Sequence, residues 1–517
     1  MLKKLSDNTL AHALIVFFVA IVAFLPTLQM FFYLDEWGNL YEFTHMEYTF
    51  SIFTADVFHR LFNLFGTNPT GYFAVGILIY ALSVVIFYLF VSKLLKNKLL
   101  GLVAGLIYAT APIGIDTVIM LWTYVIEGGY PLTAALLIIL YLLLRYFQGG
   151  KIVFYLLALL GFMIFMELEP RRVFLFLPII VIFDYVMHFR KIIVPDIKFI
   201  IRQVPFVLSF VAYYKYTITL SNILATGKIQ TADSSYDSET KLILFLNSIF
   251  DVQPLVTLAN ILLGGFTIIP VDFINLVSVK NTYFWVGLVL AIALTLVVIA
   301  WKTKREFGLL SLFGLIWIYV NIIGIYVFSS PGISETTHRT LSISAPGYAL
   351  FMSVAGYGLY LYLKKRKSMP LKKLNTLFLS LLIFLVGYNL LATHARFEKF
   401  NAFRSRAAHA FFKDLKNMYP TFPKGSLIYI ETSGSPQIKN RLSRIYGGNN
   451  LGAGATIAVF YPELTLKDID VVREFVYVEK FIASDSAKID KVYGFYYDEN
   501  GLFDKTPETR EKLKLSL

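Results

Sequence analysis

The sequence predicts a polytopic α-helical membrane protein of about eleven transmembrane helices, with a small extracytoplasmic α/β domain at its C-terminal end. Three observations lead there. Of 517 residues, 57% are hydrophobic and only 16% charged, whereas a soluble domain carries about a quarter charged residues. Eleven apolar runs approach the ~20 residues that a spanning helix needs. After residue 393 the composition turns polar and the long apolar runs stop. Mean hydropathy is +0.64. The absence of cysteine excludes disulfides, thiolate metal sites and cysteine nucleophiles. The net charge of +13 matters less for its sign than for where Lys and Arg fall among the apolar runs, since they set orientation, so no nucleic-acid partner is expected.

The runs lie at 12–33, 71–92, 99–115, 130–147, 152–167, 172–188, 199–219, 282–301, 307–328, 346–363 and 374–393. The first is too long for a signal-peptide core and lacks a small-residue cleavage site, so it reads as a retained span. Basic clusters mark alternate loops: "KKL" at the N-terminus, "KLLKNK" at 93–98, "RYFQGGK" at 145–151, "HFRK" at 188–191, "WKTKRE" at 301–306 and "KKRKSMPLKK" at 364–373. This bias makes the N-terminus cytoplasmic and puts the intervening loops outside; the plasma membrane is the expected location of such a multi-pass protein. Residues 219–281 then begin and end outside, so the moderately apolar piece 243–278 crosses twice or not at all. Asp251, Pro254, Gly264, Gly265, Pro270 and Asp272 interrupt it, which favours an interfacial or re-entrant segment.

Two domains follow: 1–393 in the membrane, with a first outer loop at 34–70 and the outer segment 219–281, and 394–517 on the outer face. In the second, "HARFEKFNAFRSRAAHAFFKDLKNMYP" has helical spacing. "GSLIYIE", "ATIAVFYP" and "EFVYVEKF" read as strands, and "KVYGFYYDENGLFDK" as a hairpin turning at "DENG".

The outer loops concentrate charge. "FFYLDEWGNLYEF" at 31–43 ends the first apolar run in adjacent carboxylates, Asp35 and Glu36, flanked by aromatic rings; the plain alternative is a polar helix end in an aromatic belt. Residues 43–65 place apolar positions at helical spacing, as in a helix lying in the interface. The second outer loop, "APIGIDTVIMLWTYVIEGG", holds Asp116 after Pro112 and Gly114, and Glu127 before two glycines; solvated loop acids are the plain alternative. The third, "ELEPRR", holds Glu167, Glu169, Arg171 and Arg172, with mutual ion pairing as the alternative. Charges at membrane depth are costly, and adjacent arginines suit a phosphate. The last, "SSPGISETTHRTLSISAPG", carries His338 and Arg339, candidates for contact with a lipid phosphate. No nucleotide-binding loop, HExxH or G-x-S-x-G motif occurs.

An acidic pair just after the first span resembles the GT-C superfamily of polytopic glycosyltransferases. The closer likeness is to the membrane part of protein O-mannosyltransferases of the TPR-bearing type. "PIGID" (112–116) resembles their P-x-x-x-E second loop, and "LEPRRVFLFLPIIVIFD" (168–184) their KE…LP…D segment through Glu169, Pro178 and Asp184. "HRTLSISAPGYALF" (338–351) resembles their late R-x-LYLPS-G loop. Leu168 stands where the family has Lys, Asp116 where it has Glu, and TPR repeats are missing. The resemblance implies inverting transfer of a hexose such as mannose, in cell-envelope glycosylation. The donor is a polyprenyl-phosphate-linked sugar, and the acceptor is a hydroxyl of a protein, lipid or glycan. Asp35 is the implied general base with Glu36 beside it; Asp116, Glu127 and Glu169 orient acceptor or sugar hydroxyls; Arg171, Arg172, His338 and Arg339 hold the donor phosphate. No cofactor is required, although some members use a divalent metal. The competing expectation is a transporter or flippase of a lipid-linked or anionic solute, which needs charges buried at mid-membrane.

Overall fold

The computed structural model describes residues 8–32, 36–45, 52–119, 121, 124, 129–168, 175–189, 197–224, 252–264, 279–328, 338–367, 369–445, 453–483 and 486–516. In chain order the helices up to residue 400 are α1 (Thr9–Phe24), α2 (Glu36–His45), α3 (Ile52–Phe65), α4 (Pro69–Leu95), α5 (Lys98–Thr110), α6 (Tyr130–Phe147), α7 (Ile152–Leu168), α8 (Phe176–Phe189), α9 (Ile197–Leu224), α10 (Val252–Gly264), α11 (Val279–Thr303), α12 (Arg305–Phe328), α13 (Ser344–Lys365) and α14 (Leu371–Phe400). Every one of the eleven apolar runs overlaps one of these helices. Among the described residues, six are long and apolar enough to cross a membrane: Thr9–Gln29, Pro69–Leu95, Tyr130–Phe147, Phe284–Thr303, Arg305–Tyr326 and Leu371–Phe400. They mark a membrane protein. Eleven spans are not reached on length and apolarity, because α5, α7 and α8 are short for a full crossing and α9 and α13 are more polar.

The distribution of polarity matches an apolar solvent. Exposed apolar side chains recur one helical turn apart, as Leu14, Phe18 and Val22 on α1, Leu156 and Leu160 on α7, and Ile200, Val204 and Leu208 on α9. Buried positions instead carry Ser83, Thr110, Thr133, Ser311, Asn321 and Thr393. These polar groups join helices. The Thr393 hydroxyl donates to the Thr110 carbonyl at 3.2 Å, and the Tyr80 hydroxyl to the Tyr108 carbonyl at 2.7 Å. Small residues let α12 and α13 approach closely: a Cβ on Gly347 would lie 3.0 Å from the Gly314 carbonyl oxygen.

Contacts divide the chain into two units. One is Met1–Leu25, Gly76–Val118 and Thr123–Ala395; the other is Pro26–Val75, Ile119–Trp122 and Arg396–Leu517. The first is the helical bundle.

In the second, a π-helical stretch at Asn401–Ser405 leads into α15 (Arg406–Met418), then β1 (Ser426–Thr432), α16 (Pro436–Ile445), α17 (Ala453–Phe460), β2 (Ile469–Val472), α18 (Phe475–Ala483), β3 (Val492–Tyr497), β4 (Leu502–Asp504) and α19 (Thr506–Ser516). The sheet order is β2-β1-β3-β4, parallel except for the β3–β4 hairpin. Its core packs Leu427, Tyr429 and Val492 against Val478, Ile482, Ile489 and Leu513.

The helical stretch from 394, the strand "GSLIYIE" and the "DENG" hairpin are as the sequence predicts. Two strands are not. "ATIAVFYP" falls mostly in α17, since a short, wholly apolar run does not distinguish strand from buried helix. "EFVYVEKF" falls in α18, where Val478 and Ile482 point inward and Val476 and Tyr477 outward, a period of 3.6 rather than 2. The third parallel strand is β2, whose four residues are too short to signal in the sequence.

Candidate functional site

Asp35, Glu127, Glu169, Arg171 and Arg172 lie outside the described residues. Glu36, Asp116, His338 and Arg339 lie within them and fall in both units.

In the helical bundle, Pro112 stops α5, and Gly114 turns the chain with φ +68° into a 3-10 turn at Ile115–Ile119. Asp116 sits half-buried in that turn and interacts electrostatically with the Tyr130 hydroxyl at the start of α6. A second 3-10 turn, Arg339–Ile343, leads into α13. Its backbone lies against Gly114, where a Cβ would stand 2.6 Å from the Leu341 carbonyl carbon and closer still to Ser342. The Asp116 and Arg339 turns are therefore built back to back, joining two loops more than 200 residues apart in sequence.

The Arg339 turn is pinned from below. Asn321 Nδ2 donates to the Ser344 hydroxyl at 2.8 Å and to the Thr340 carbonyl at 3.3 Å, and Trp317 Nε1 donates to the Ile343 carbonyl at 2.9 Å. His338 caps the turn: its Nδ1 accepts the Thr340 N–H at 3.4 Å and lies 2.7 Å from the Thr340 hydroxyl. That bond uses a ring nitrogen which must be unprotonated to accept, so His338 has a structural duty in addition to any contact with an anion.

Tyr130, with which Asp116 interacts, belongs to an aromatic cluster. Tyr80 is 4.4 Å from Tyr130 and 4.0 Å from Phe24, ring centre to ring centre, and Tyr124 is 5.9 Å from Tyr130. All four are fully buried.

In the other unit, Glu36 is the first residue of α2 and only 2% exposed. A carboxylate at a helix N-terminus faces unsatisfied N–H groups and the positive end of the helix dipole. Glu36 Oε1 also accepts the Leu121 N–H, tying the start of α2 to the segment between α5 and α6.

Of one ionic group only Asp184 was visible in the sequence, through the family resemblance, and its partners were missed. Asp184 of α8 is 2% exposed and accepts two bonds from Arg202 of α9, at 2.8 and 3.0 Å, and one from Gln203 Nε2. The Arg202 guanidinium also lies over the Phe147 ring. The signal available was an Asp and an Arg inside apolar runs, which is costly unless paired.

Among the described residues no three His, Asp or Glu side chains are grouped to hold a metal ion. No protein-family model matches the chain, and no curated protein is similar to it.

Proposed function

We propose that the chain is a GT-C-type glycosyltransferase. It spans the plasma membrane about eleven times with a cytoplasmic N-terminus, and transfers a hexose such as mannose from a polyprenyl-phosphate donor to an acceptor hydroxyl on the extracytoplasmic side. The observation that carries the reading is the back-to-back packing of the Asp116 and Arg339 turns. It supports the reading because the backbone turns that carry Asp116 and Arg339 meet at Gly114, and the reading assigns the carboxylate to sugar hydroxyls and the guanidinium to the leaving phosphate. The buried Glu36 adds support, since an acid placed at a helix N-terminus and held by a distant N–H is costly to assemble for a loop with no task.

In this reading Asp35 removes the proton from the acceptor hydroxyl as its oxygen attacks the anomeric carbon. The bond from that carbon to the phosphate oxygen breaks, inverting the configuration. Charge gathers on the departing lipid phosphate, where Arg339, Arg171, Arg172 and His338 stabilise it. Glu36, Asp116, Glu127 and Glu169 orient hydroxyls. Asp35→Asn should abolish mannose transfer from polyprenyl-phosphate mannose in membranes while expression stays normal; full transfer by that variant would sink the mechanism.

A second reading, a transporter or flippase, is favoured by the Asp184–Arg202–Gln203 group, buried charge inside apolar helices of the kind such proteins use. Flipping of a fluorescent polyprenyl-phosphate sugar in proteoliposomes that survives Asp35→Asn and fails in Arg202→Lys would select it.

A further inference from the structure

The first outer loop is anchored in the C-terminal α/β region by rings. Helix α2 packs against α17, and Trp37, fully buried, sits 5.2 Å from Phe412 of α15 and 5.1 Å from Phe460 of α17. Phe412 and Phe460 stack on each other at 4.1 Å with 14° between planes. Phe31 stacks on the same pair, 6.2 Å from Phe412 and 6.1 Å from Phe460. Phe32 adds an edge contact to Trp37 at 5.1 Å. One turn along α2, the Tyr41 hydroxyl accepts the Leu466 N–H at 3.2 Å. Glu36 lies between these anchors, with Phe31 and Phe32 before it and Trp37 and Tyr41 after it.

We propose that Phe412 and Phe460 are positioning residues for Glu36, so that the C-terminal α/β region sets where the acidic helix of the first outer loop stands. The catalytic consequence rests on the glycosyltransferase reading; the mechanical one does not. Offset and tilted ring pairs contribute beyond their area and prefer particular geometries, so the three stacked rings of Phe31, Phe412 and Phe460, with Trp37 tilted against them, restrict rotation of α2 as well as its docking. Only three residues separate Phe32 from Glu36, which leaves the carboxylate little freedom once Phe32 and Trp37 are seated. A covering domain with no such role would touch the loop without inserting paired rings on both sides of the acid.

The test uses the full chain in lipid nanodiscs, with Phe460→Ala and the conservative Phe460→Tyr. Amide exchange is read separately in residues 36–45 and in β1 and β3, together with transfer from polyprenyl-phosphate mannose. Phe460→Ala should speed exchange in α2 about tenfold and leave the sheet unchanged. It should lower kcat with the donor KM unchanged, and Phe460→Tyr should restore both. Unchanged exchange in α2, or faster exchange throughout the sheet, overturns the proposal, the latter because the rings would then be ordinary core. If Phe460→Ala fails to fold, Phe460→Leu carries the same test. If the native chain transfers no mannose, the enzymatic reading falls, and the exchange measurement still decides the positioning role.

Discussion

Glu36 carries two duties that substitution can separate. Its carboxylate accepts the Leu121 N–H from a buried position, so Glu36→Ala leaves that donor without its partner and should cost about 1–3 kcal/mol. Glu36→Gln keeps an acceptor oxygen and should retain most of the stability in thermal unfolding. If Glu36 also orients an acceptor, the Gln variant loses transfer at near-normal melting temperature; equal loss of both in Gln and Ala would make the residue structural.

Asp468 offers a pH test at the same scale. Its carboxylate accepts the Thr465 N–H at 2.9 Å and the Thr465 hydroxyl at 2.8 Å, with Lys424 at 3.7 Å. These bonds, chiefly the two from Thr465, hold it below the ordinary carboxylate value of 3.8. A depressed folded value stabilises above that ordinary value, and the gain disappears as pH falls through the lower one. Asp468→Asn should therefore differ from the native chain at neutral pH and converge with it in strong acid, read as exchange protection around residues 465–469.

Between elements, the decisive contacts are a close approach and a buried ion pair. Gly114→Ala would drive a methyl into the Leu341–Ser342 backbone at a position already requiring positive φ. It should separate the Asp116 and Arg339 turns and, on the glycosyltransferase reading, lower transfer well beyond any change in protein yield. Asp184 and Arg202 pose the opposite case, where the pair is needed only because each partner is present. Arg202→Met strands a carboxylate between α8 and α9 and should cost about 3–5 kcal/mol, while Asp184→Leu with Arg202→Met should be neutral or stabilising. Melting of both variants in one detergent checks this; equal destabilisation would show that the ions act with further groups.

For the whole molecule, the grouping of Pro26–Val75 with Arg396–Leu517 means that the polar C-terminal part is not an appendage. Truncation after about residue 395 uncovers Phe31 and Trp37, whose rings pack on Phe412 and Phe460. Large exposed apolar patches promote association. The truncated chain should aggregate in size-exclusion chromatography, whereas an independent outer domain would leave a monodisperse membrane part.

Sequence alone determined the local and periodic features: the apolar runs that became helices, the turn at Pro112 and Gly114, the strand Ser426–Thr432 and the hairpin at "DENG". These follow from hydropathy, period and turn chemistry within a few residues, where physical cause and sequence signal coincide. The nature of α17 and α18 depended on which faces were buried, and β2 depended on pairing with a strand some forty residues earlier. Leu121 against Glu36, Ser342 against Gly114, Arg202 against Asp184, and Phe460 against Trp37 were decided by tertiary structure alone. Each joins chain segments whose approach repays loop closure only through burial or hydrogen bonding, and neither leaves a local trace in the residue pattern.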